Sequence, residues 1–375
     1  MKNTYQILPV YSGDVSGACA ALYELGGMVV MHDPSGCNST YNTFDEVRWY
    51  EKESLIFLSG MTDVDAITGN DKKLIADILM AAGELHPRFI ALVNSPIPFL
   101  NGTDFAGICR ILEDRLNIPA FYVSTNGAHD YTEGAGQAFL QAARRLVDGN
   151  GEKRPGTVNI LGMTPLNYTL SGSGKRMEAI LTEAGFPVNA NWALDCDPET
   201  FSRASAAPVN LVVSSAGLYA AEELHRRFGI PYVIGAPLGG FAPAVMEALK
   251  TAMETGENQV PHIQSRKGGE PDVTLVGEPV VMTSLAASIE LETGKTTEVL
   301  CPTEVTRGLL GSADQSVAGE AEMQEALRSA RHIVADPLYR SVSPEGVPFT
   351  PLPDLAFSGR LYLKQTPDLF TWKLS

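Results

Sequence analysis

The five cysteines of the chain are the residues best suited to bind a soft metal such as iron. They are odd in number and no two of them form a CxxC pair, so the sequence predicts neither a disulfide framework nor an autonomous zinc site. Any metal bound through these thiols must take further ligands from a fold contact or from another chain. The five lie at Cys19, Cys37, Cys109, Cys196 and Cys301.

Cys37 has the surroundings of a reactive thiol. An apolar, β-rich run ends near His32, and the turn-forming sequence Pro34-Ser35-Gly36 leads from it to the cysteine. A thiol at the carboxyl end of a strand, near a helix N-terminus, is stabilised as thiolate by backbone amide dipoles, and thiolate is the form that binds iron. A buried structural role is commoner for a lone cysteine, but the tight turn favours a functional one.

The other candidate side chains give weaker signals. Cys19 and Cys109 lie in apolar helical stretches that predict core packing, whereas Cys196 and Cys301 have no partner at a useful spacing. His32 stands at the end of the same β-rich run, and a structural, hydrogen-bonded role is the commoner one for a single histidine.

Alternating strands and helices must position these side chains. Short apolar runs such as Phe89–Val93 and Val209–Val213 alternate with amphipathic helical patterns such as Ala242–Met253. Strands that are apolar throughout predict parallel sheets covered by helices on both faces. Two polar linkers rich in Gly and Pro, 148–156 and 265–271, divide the chain into three parts.

The sequence therefore predicts an α/β protein of three tandem Rossmann-like domains, with parallel sheets flanked by helices. The length of 375 residues suits two or three domains. The predicted boundaries are 1–153 for an N-terminal domain that contains Cys37, 154–268 for a central domain, and 269–375 for a C-terminal domain.

A second motif follows the N-terminal cysteine turn, in the segment from Ser59 to Leu74 that opens a helix. Together with Gly36-Cys37, this segment resembles the nitrogenase component 1 family, which includes nitrogenase molybdenum–iron protein subunits, their cofactor-assembly scaffold homologues and dark-operative protochlorophyllide reductase subunits. Two later stretches fit the same family. The positions that carry the resemblance are Met61-Thr62, Asp65, Gly69, Lys72 and Leu74, and then Val158–Gly162 and Phe228–Pro231.

The resemblance implies an iron–sulfur cluster at a subunit interface. Family members with a full ligand set supply three cysteines per subunit, of which the middle one matches Cys37 and the outer two fall at Ser12 and Ser95. Serine is a harder and more basic donor than thiolate and ligates iron poorly unless ionised. Carboxylate donors at Asp33 or Asp45 are a further option, because an aspartate ligand occurs in the tetrapyrrole-reducing relatives.

One such subunit offers one good ligand, whereas a [4Fe-4S] cluster usually needs four. The resemblance therefore implies a cluster shared in a homodimer, or in a heterodimer with a second component 1 type subunit that has three cysteines. Loss of the cluster is the third alternative. The position of the family's cofactor-binding cysteine falls near Val213-Ser214, and no counterpart of its histidine is found, so no molybdenum cofactor is expected. A cavity between the three domains could still hold an organic substrate.

Three functions stay open at this point. The first is a nitrogenase-like oxidoreductase subunit that receives electrons from an ATP-dependent iron protein and passes them through the cluster to an unidentified substrate. In that case the segment from Met61 to Leu74 helps form the docking or cluster-proximal surface. The second is a scaffold or carrier for cofactor assembly. The third is a cluster-free α/β binding protein.

Composition and the apolar pattern limit the classes of partner and the cellular location that the sequence predicts. The formal net charge is 28 − 44 = −16, and an acidic chain without clustered Lys and Arg argues against nucleic acid. No apolar run approaches the roughly 20 residues that a membrane helix needs. The first residues lack a signal-peptide pattern. The sequence therefore predicts a cytoplasmic protein without a membrane contact.

Overall fold

The computed structural model describes residues 6–8, 12–34, 46–149, 152–267 and 269–374, and in them the chain forms three parallel β-sheets flanked by helices. The first sheet has the strand order β2-β1-β3-β4. All of its pairings are parallel, and His32 lies in register with Asn94. Its strands are β1 (Met28–His32), β2 (Leu55–Leu58), β3 (Ile90–Asn94) and β4 (Ala120–Val123).

Helices cover both faces of this sheet. One face packs against α3 and α5, through side chains such as Leu92 and Ile108. The other packs against α1 and α6, through side chains such as Val93 and Phe139. The helices of this region are α1 (Asp14–Leu22), α2 (Asp63–Thr68), α3 (Asp71–Leu85), α4 (Pro96–Asn101), α5 (Phe105–Leu116) and α6 (Tyr131–Arg145).

Helices α1 and α6 pack backbone against backbone. A Cβ atom on Gly17 would lie 2.2 Å from the carbonyl oxygen of Tyr131, and one on Gly134 would lie 1.9 Å from that of Asp14. Both contacts are far below van der Waals distance, so only glycine fits at these two positions. The close approach holds the start of α6 against the N-terminal helix.

The second sheet has the order β6-β5-β7-β8 and is also parallel throughout. Its first strand, Val-Asn-Ile-Leu-Gly-Met, is buried along its whole length, as expected of a strand covered on both faces. The strands are β5 (Val158–Met163), β6 (Val188–Ala193), β7 (Val209–Val212) and β8 (Tyr232–Ile234). The helices are α7 (Ser173–Glu183), α8 (Pro198–Phe201), α9 (Leu218–Phe228), α10 (Ala242–Thr255) and α11 (Pro261–Gln264).

The third sheet has the order β11-β10-β9-β12-β13, again with parallel pairings. Its strands are β9 (Val273–Val276), β10 (Thr297–Cys301), β11 (Gln315–Ser316), β12 (Ile333–Ala335) and β13 (Phe349–Pro351). Its helices are α12 (Pro279–Thr293), α13 (Glu320–Leu327) and α14 (Leu355–Ser358). Helix α12 is buried over most of its length, because it packs between this sheet and the core of the second.

Three parallel sheets flanked by helices confirm the predicted fold class. The three domain boundaries at 153/154 and 268/269 stay predictions, although each sheet lies within one predicted domain. Within the described residues, no helix combines the length and the apolar character needed to cross a bilayer.

Candidate functional site

The carboxyl edge of the first sheet brings together Asp33 and Ser95. Each residue directly follows its strand, and the register of β1 with β3 places the two strand ends side by side. The hydroxyl oxygen of Ser95 lies 2.5 Å from Asp33 Oδ1 and 2.9 Å from the carbonyl oxygen of His32. Both side chains are almost completely buried.

This geometry gives the Ser95 hydroxyl an internal partner. A serine has one O–H hydrogen, and here both acceptors within reach belong to the segment 32–33. A neutral hydroxyl in that arrangement stabilises the two strand ends. It would have to give up its hydrogen bond and its proton to become a metal ligand.

Ser12, the other predicted serine, lies at the start of α1. Its backbone N–H donates to the carbonyl oxygen of Ala356 at 2.8 Å, and its carbonyl oxygen accepts from the N–H of Tyr131 at 2.9 Å. Nearby, the Asp14 carboxylate accepts from the backbone N–H groups of Asn126 and Gly127, which follow β4. Ser12 is therefore fixed by its backbone, and the structure gives its hydroxyl no contact with Ser95.

Cys37 and Asp45 lie outside the described residues. The described chain reaches Pro34 on one side of them and resumes at Glu46 on the other. Their assignment as candidate ligands stays a prediction.

The remaining four cysteines are free thiols in the described part of the chain. Burial raises the pKa of Cys109, Cys196 and Cys301 to about 12, and that of Cys19 still further. Iron would have to displace the proton of such a thiol in order to bind it. Among the described residues, no three His, Cys, Asp or Glu side chains come together as a metal site.

His32 faces a cavity of about 390 Å³ on the α3/α5 side of the same edge. Its Nδ1 lies 2.8 Å from the hydroxyl oxygen of Ser59, and its ring meets the ring of Phe105 edge-on at 5.9 Å. Burial lowers the pKa of His32, so the imidazole is neutral at pH 7. The structure thus gives His32 the hydrogen-bonded role that is usual for a single histidine, at the wall of a cavity.

The segment from Met61 to Leu74 forms most of that cavity's rim. Its short helix α2 begins with a capping box, in which Thr62 and Asp65 accept each other's backbone N–H groups. The hydroxyl of Thr62 and the amide of Asn70 also donate to Asp65 and lower its pKa to about 2. Asn70 then caps α3 through the N–H of Lys73. Local hydrogen bonds therefore define the rim.

Four large apolar side chains project from the helices at this edge. They are Val64 and Ile67 on α2, and Phe99 and Leu100 on α4, of which Ile67 and Leu100 are at least 80% exposed. The two helices are joined by a hydrogen bond from the Asn101 amide to the carbonyl oxygen of Ala66. We call these four side chains the apolar patch. Large apolar side chains clustered on a surface mark an interaction site.

Comparison with known proteins agrees with the resemblance seen in the sequence. The pattern of one family, described as nitrogenase component 1 type oxidoreductase, matches residues 14–267. The chain belongs to this family.

Several curated relatives are similar to parts of the chain. The nitrogenase molybdenum-iron protein alpha chain of Clostridium pasteurianum is 25% identical over 217 residues, which are 54% of this chain and 40% of that protein. The nitrogenase iron-molybdenum cofactor biosynthesis protein NifE of Methanosarcina barkeri is 24% identical over 65% of this chain and 55% of its own length. A light-independent protochlorophyllide reductase subunit of Prosthecochloris aestuarii is 25% identical over 56% of this chain and 39% of its own. The chain spans about half the length of these relatives.

Among solved structures, nitrogenase Cp1 at pH 6.5 has a TM-score of 0.59 to this chain at 16% identity. The match covers 87% of this chain and 73% of that one. At such low identity the similarity shows a shared fold, and it agrees with the three parallel sheets.

The region between the second and third sheets is closely packed in this component 1 type chain. Glu278, at the end of β9, is fully buried and accepts the N–H groups of Ser215 and Val281 at 2.6 and 2.8 Å. Burial raises its pKa. Ser215 directly follows Val213-Ser214, where the sequence showed no cofactor-binding cysteine. A carboxylate held by two backbone amides thus lies against this position.

The cleft between the second and third sheets is nearly filled. Its cavity volume is about 20 Å³, and its wall includes Leu369 and Phe370 of the C-terminal segment. The ring of Phe370 stacks on that of Tyr168 at 6.3 Å, and Arg176 pairs with Asp368 beside it. The described residues therefore leave no room for an organic substrate in this cleft. A substrate cavity between all three predicted domains stays a prediction.

The sequence predicted a site at the carboxyl edge of the first sheet, but several residues with a functional arrangement were missed. The contact between Asp33 and Ser95 depends on strand register, which the sequence did not specify. Phe99 and Leu100 were overlooked because an apolar pair in a short helix predicts burial. Elsewhere in the chain, Glu278 comes two residues after β9 and is the N-cap of α12; a carboxylate so close to the end of a buried strand was a usable signal for a buried polar group.

Proposed function

We propose that this chain is a redox subunit of nitrogenase component 1 type that contributes Cys37 to an iron–sulfur cluster shared with a second subunit. The observation that carries the proposal is the buried pair of Asp33 and Ser95. The pair lies directly after β1, where the sequence continues to the turn that precedes Cys37. A polar pair at the carboxyl edge of a parallel sheet is where α/β proteins position ligand-binding groups.

The donor set fits a shared cluster better than one held by a single chain. Burial raises the pKa of the other four thiols, and none of them belongs to a group of three His, Cys, Asp or Glu side chains among the described residues, so Cys37 is the candidate thiolate. Asp33 supplies a hard oxygen donor four positions before Cys37 in the sequence. The Ser95 hydroxyl is already bonded to Asp33 and to the backbone, and like the Ser12 hydroxyl it would have to lose its proton to ligate iron. When bound, the cluster would supply one-electron transfer through the interface.

The second subunit is either another copy of this chain or a component 1 type subunit with three cysteines. The electron donor in this proposal is an ATP-dependent iron protein. The apolar patch of Val64, Ile67, Phe99 and Leu100 supports a docking surface at this edge. Its position next to the strand ends would keep the distance from a docked donor to the cluster short.

The test is the metal content of protein purified without oxygen. The full chain should carry iron and acid-labile sulfide, and Cys37→Ala should lose both. Cys196→Ala is the matched control, because this half-buried thiol has a pKa raised to about 12 and should keep the cluster. Equal iron in both variants, or no iron in the parent protein under strict anaerobic handling, would contradict the proposal.

A scaffold or carrier for cofactor assembly is the second candidate. It is favoured by the nearly filled cleft behind Phe370, which gives an organic substrate no room, and by the similarity to NifE proteins. A carrier would transfer its iron to an acceptor protein and would show no ATP-coupled reduction with an iron protein. Measuring both activities on one preparation separates the two candidates.

A further inference from the structure

The segment 366–374 closes the cleft between the second and third sheets. Leu369 and Phe370 belong to the cleft wall, where a cavity of only about 20 Å³ remains. Trp372 and Leu374 are partly buried against the apolar core of the same region. We call residues 366–374 the plug. The cleft has no room for a ligand while the plug is in place.

Among the described residues, the plug has no main-chain hydrogen bond to the body of the protein. The N–H of Thr366 donates to Leu363, just before the plug. The N–H groups of Phe370 and Thr371 both donate to Asp368, within the plug itself. A segment whose amides are not bonded to a sheet or helix can open locally without loss of secondary structure. Side chains therefore hold the plug in the cleft.

Two side chains of the plug, Phe370 and Asp368, contact the body of the protein at one place. The Phe370 ring stacks on the ring of Tyr168, with the centroids 6.3 Å apart and an interplanar angle of 20°. The Asp368 carboxylate pairs with the guanidinium of Arg176, and the Cζ of Arg176 lies 5.7 Å from the centroid of the Phe370 ring. The plug thus presents an aromatic ring with a carboxylate beside it, and one arginine contacts both.

The surface that receives these two groups is suited to an aromatic carboxylate. Val281 and Met282 of α12 give the cleft wall an apolar part near Tyr168. Arg176 supplies a guanidinium, which binds carboxylates and stacks on aromatic rings. Asp354 also belongs to the wall, and burial raises the pKa of its carboxyl group well above the usual range. Its repulsion of an incoming carboxylate is therefore reduced.

We propose that this cleft is a binding site for an aromatic carboxylate, and that the plug occupies it with its own ring and carboxylate. A ligand of this class would displace the plug. Its ring would stack on Tyr168 in place of Phe370, and its carboxylate would pair with Arg176 in place of Asp368. The site does not depend on a cluster at Cys37, because none of these contacts involves the first sheet or its helices.

Titration calorimetry of the full chain with benzoate tests the proposal. The double substitution Asp368→Asn with Phe370→Ala removes the ring and the charge of the plug and leaves Tyr168 and Arg176 intact. An apolar space vacated in this way can take up a benzene-sized ligand. Benzoate should bind the double variant about tenfold to a hundredfold more tightly than the parent chain, because the Phe370 ring no longer competes for burial.

A preference for charge separates a carboxylate site from the simple filling of an engineered cavity. Benzamide has the shape of benzoate without its charge, so the double variant should bind benzoate about twofold to fivefold more tightly than benzamide. Adding Arg176→Gln should abolish that preference. Arg328→Gln is the matched control, because this exposed arginine pairs with Glu325 outside the cleft wall and should leave the preference unchanged.

Asp368→Asn alone covers the case in which the double variant does not fold, because it keeps every apolar contact of the plug. It should bind benzoate about twofold to fivefold more tightly than the parent chain, since its plug no longer competes for the charge of Arg176. Benzoate should also increase the quenching of Trp372 fluorescence by acrylamide, because the ligand displaces the plug. Trp372→Phe gives the signal of the other two tryptophans.

The proposal is overturned if benzoate binds the folded variants no more tightly than the parent chain. It is also overturned if the double variant binds benzoate and benzamide alike, since the vacated space would then accept any ring of that size. Neither outcome depends on the iron content of the protein.

Discussion

Replacing Ser95 by alanine removes one hydroxyl from the buried edge of the first sheet. That hydroxyl lies 2.5 Å from Asp33 Oδ1, and both side chains are almost completely buried. Removing the donor takes one hydrogen bond from a buried acceptor oxygen, which costs about 1–3 kcal/mol, and Ser→Ala changes little apolar area. We therefore expect Ser95→Ala to lower the free energy of unfolding by about 1–3 kcal/mol.

Urea denaturation measures this loss, with circular dichroism and tryptophan fluorescence as independent probes and linear extrapolation to water. Ser341→Ala is the control. Its exposed hydroxyl donates only to the carbonyl oxygen of Leu338, so the expected change is within about 0.5 kcal/mol. A loss for Ser95→Ala no larger than that of the control would refute the internal bond. That result would mean that the Ser95 oxygen is available as a ligand for a cluster.

Three further predictions concern other parts of the chain. Because hydrogen bonds from Thr62 and Asn70 lower the pKa of Asp65 to about 2, its contribution to helix α2 is complete above pH 3.8 and is lost as the pH falls toward 2. Amide exchange in α2 should show that loss, and Asp65→Asn should remove the pH dependence. Phe370→Ala should cost about 3–5 kcal/mol and open the cleft to a hydrophobic dye, whereas unchanged dye binding would contradict the closure. Arg48→Ala should destabilise the chain by about 3–5 kcal/mol in urea denaturation, because it leaves the buried Glu46 carboxylate without its ion pair to this guanidinium and the half-buried Glu24 with Lys52 alone.

Much of the fold could be predicted because its signals are local. The strand β3 is Ile-Ala-Leu-Val-Asn, apolar up to its last residue, and such a strand has to be covered on both faces. The capping pattern at Thr62 and Asp65 marks a helix start in the sequence alone. Alternation of such elements then limits the architecture to parallel sheets with helices on both sides.

The candidate site could be predicted only in part because it depends on long-range register. Ser95 and Asp33 are 62 positions apart in the chain, and their contact requires β3 to pair directly with β1. The family resemblance predicts that Ser95 stands at a cysteine position of the family, but it does not predict that the Ser95 hydroxyl already has a partner within the chain. Closure of the cleft by Phe370 could not be predicted for the same reason. The sequence around this aromatic residue gives no local sign of the Tyr168 ring on which it stacks.

On the proposal that Cys37 is the one thiolate ligand of each chain, the number of thiolates limits how a shared cluster can be built. In a homodimer, two Cys37 thiolates would have to be completed by oxygen donors, for which the Asp33 carboxylates are better suited than the Ser95 hydroxyls. In a heterodimer with a three-cysteine subunit, one Cys37 completes a set of four thiolates and no oxygen ligand is needed. Asp33 therefore has to ligate iron in the homodimer, whereas it does not ligate iron in the heterodimer. A buried carboxylate already held by Ser95 would need no rearrangement in the heterodimer, so within this proposal we expect a distinct partner subunit rather than a second copy.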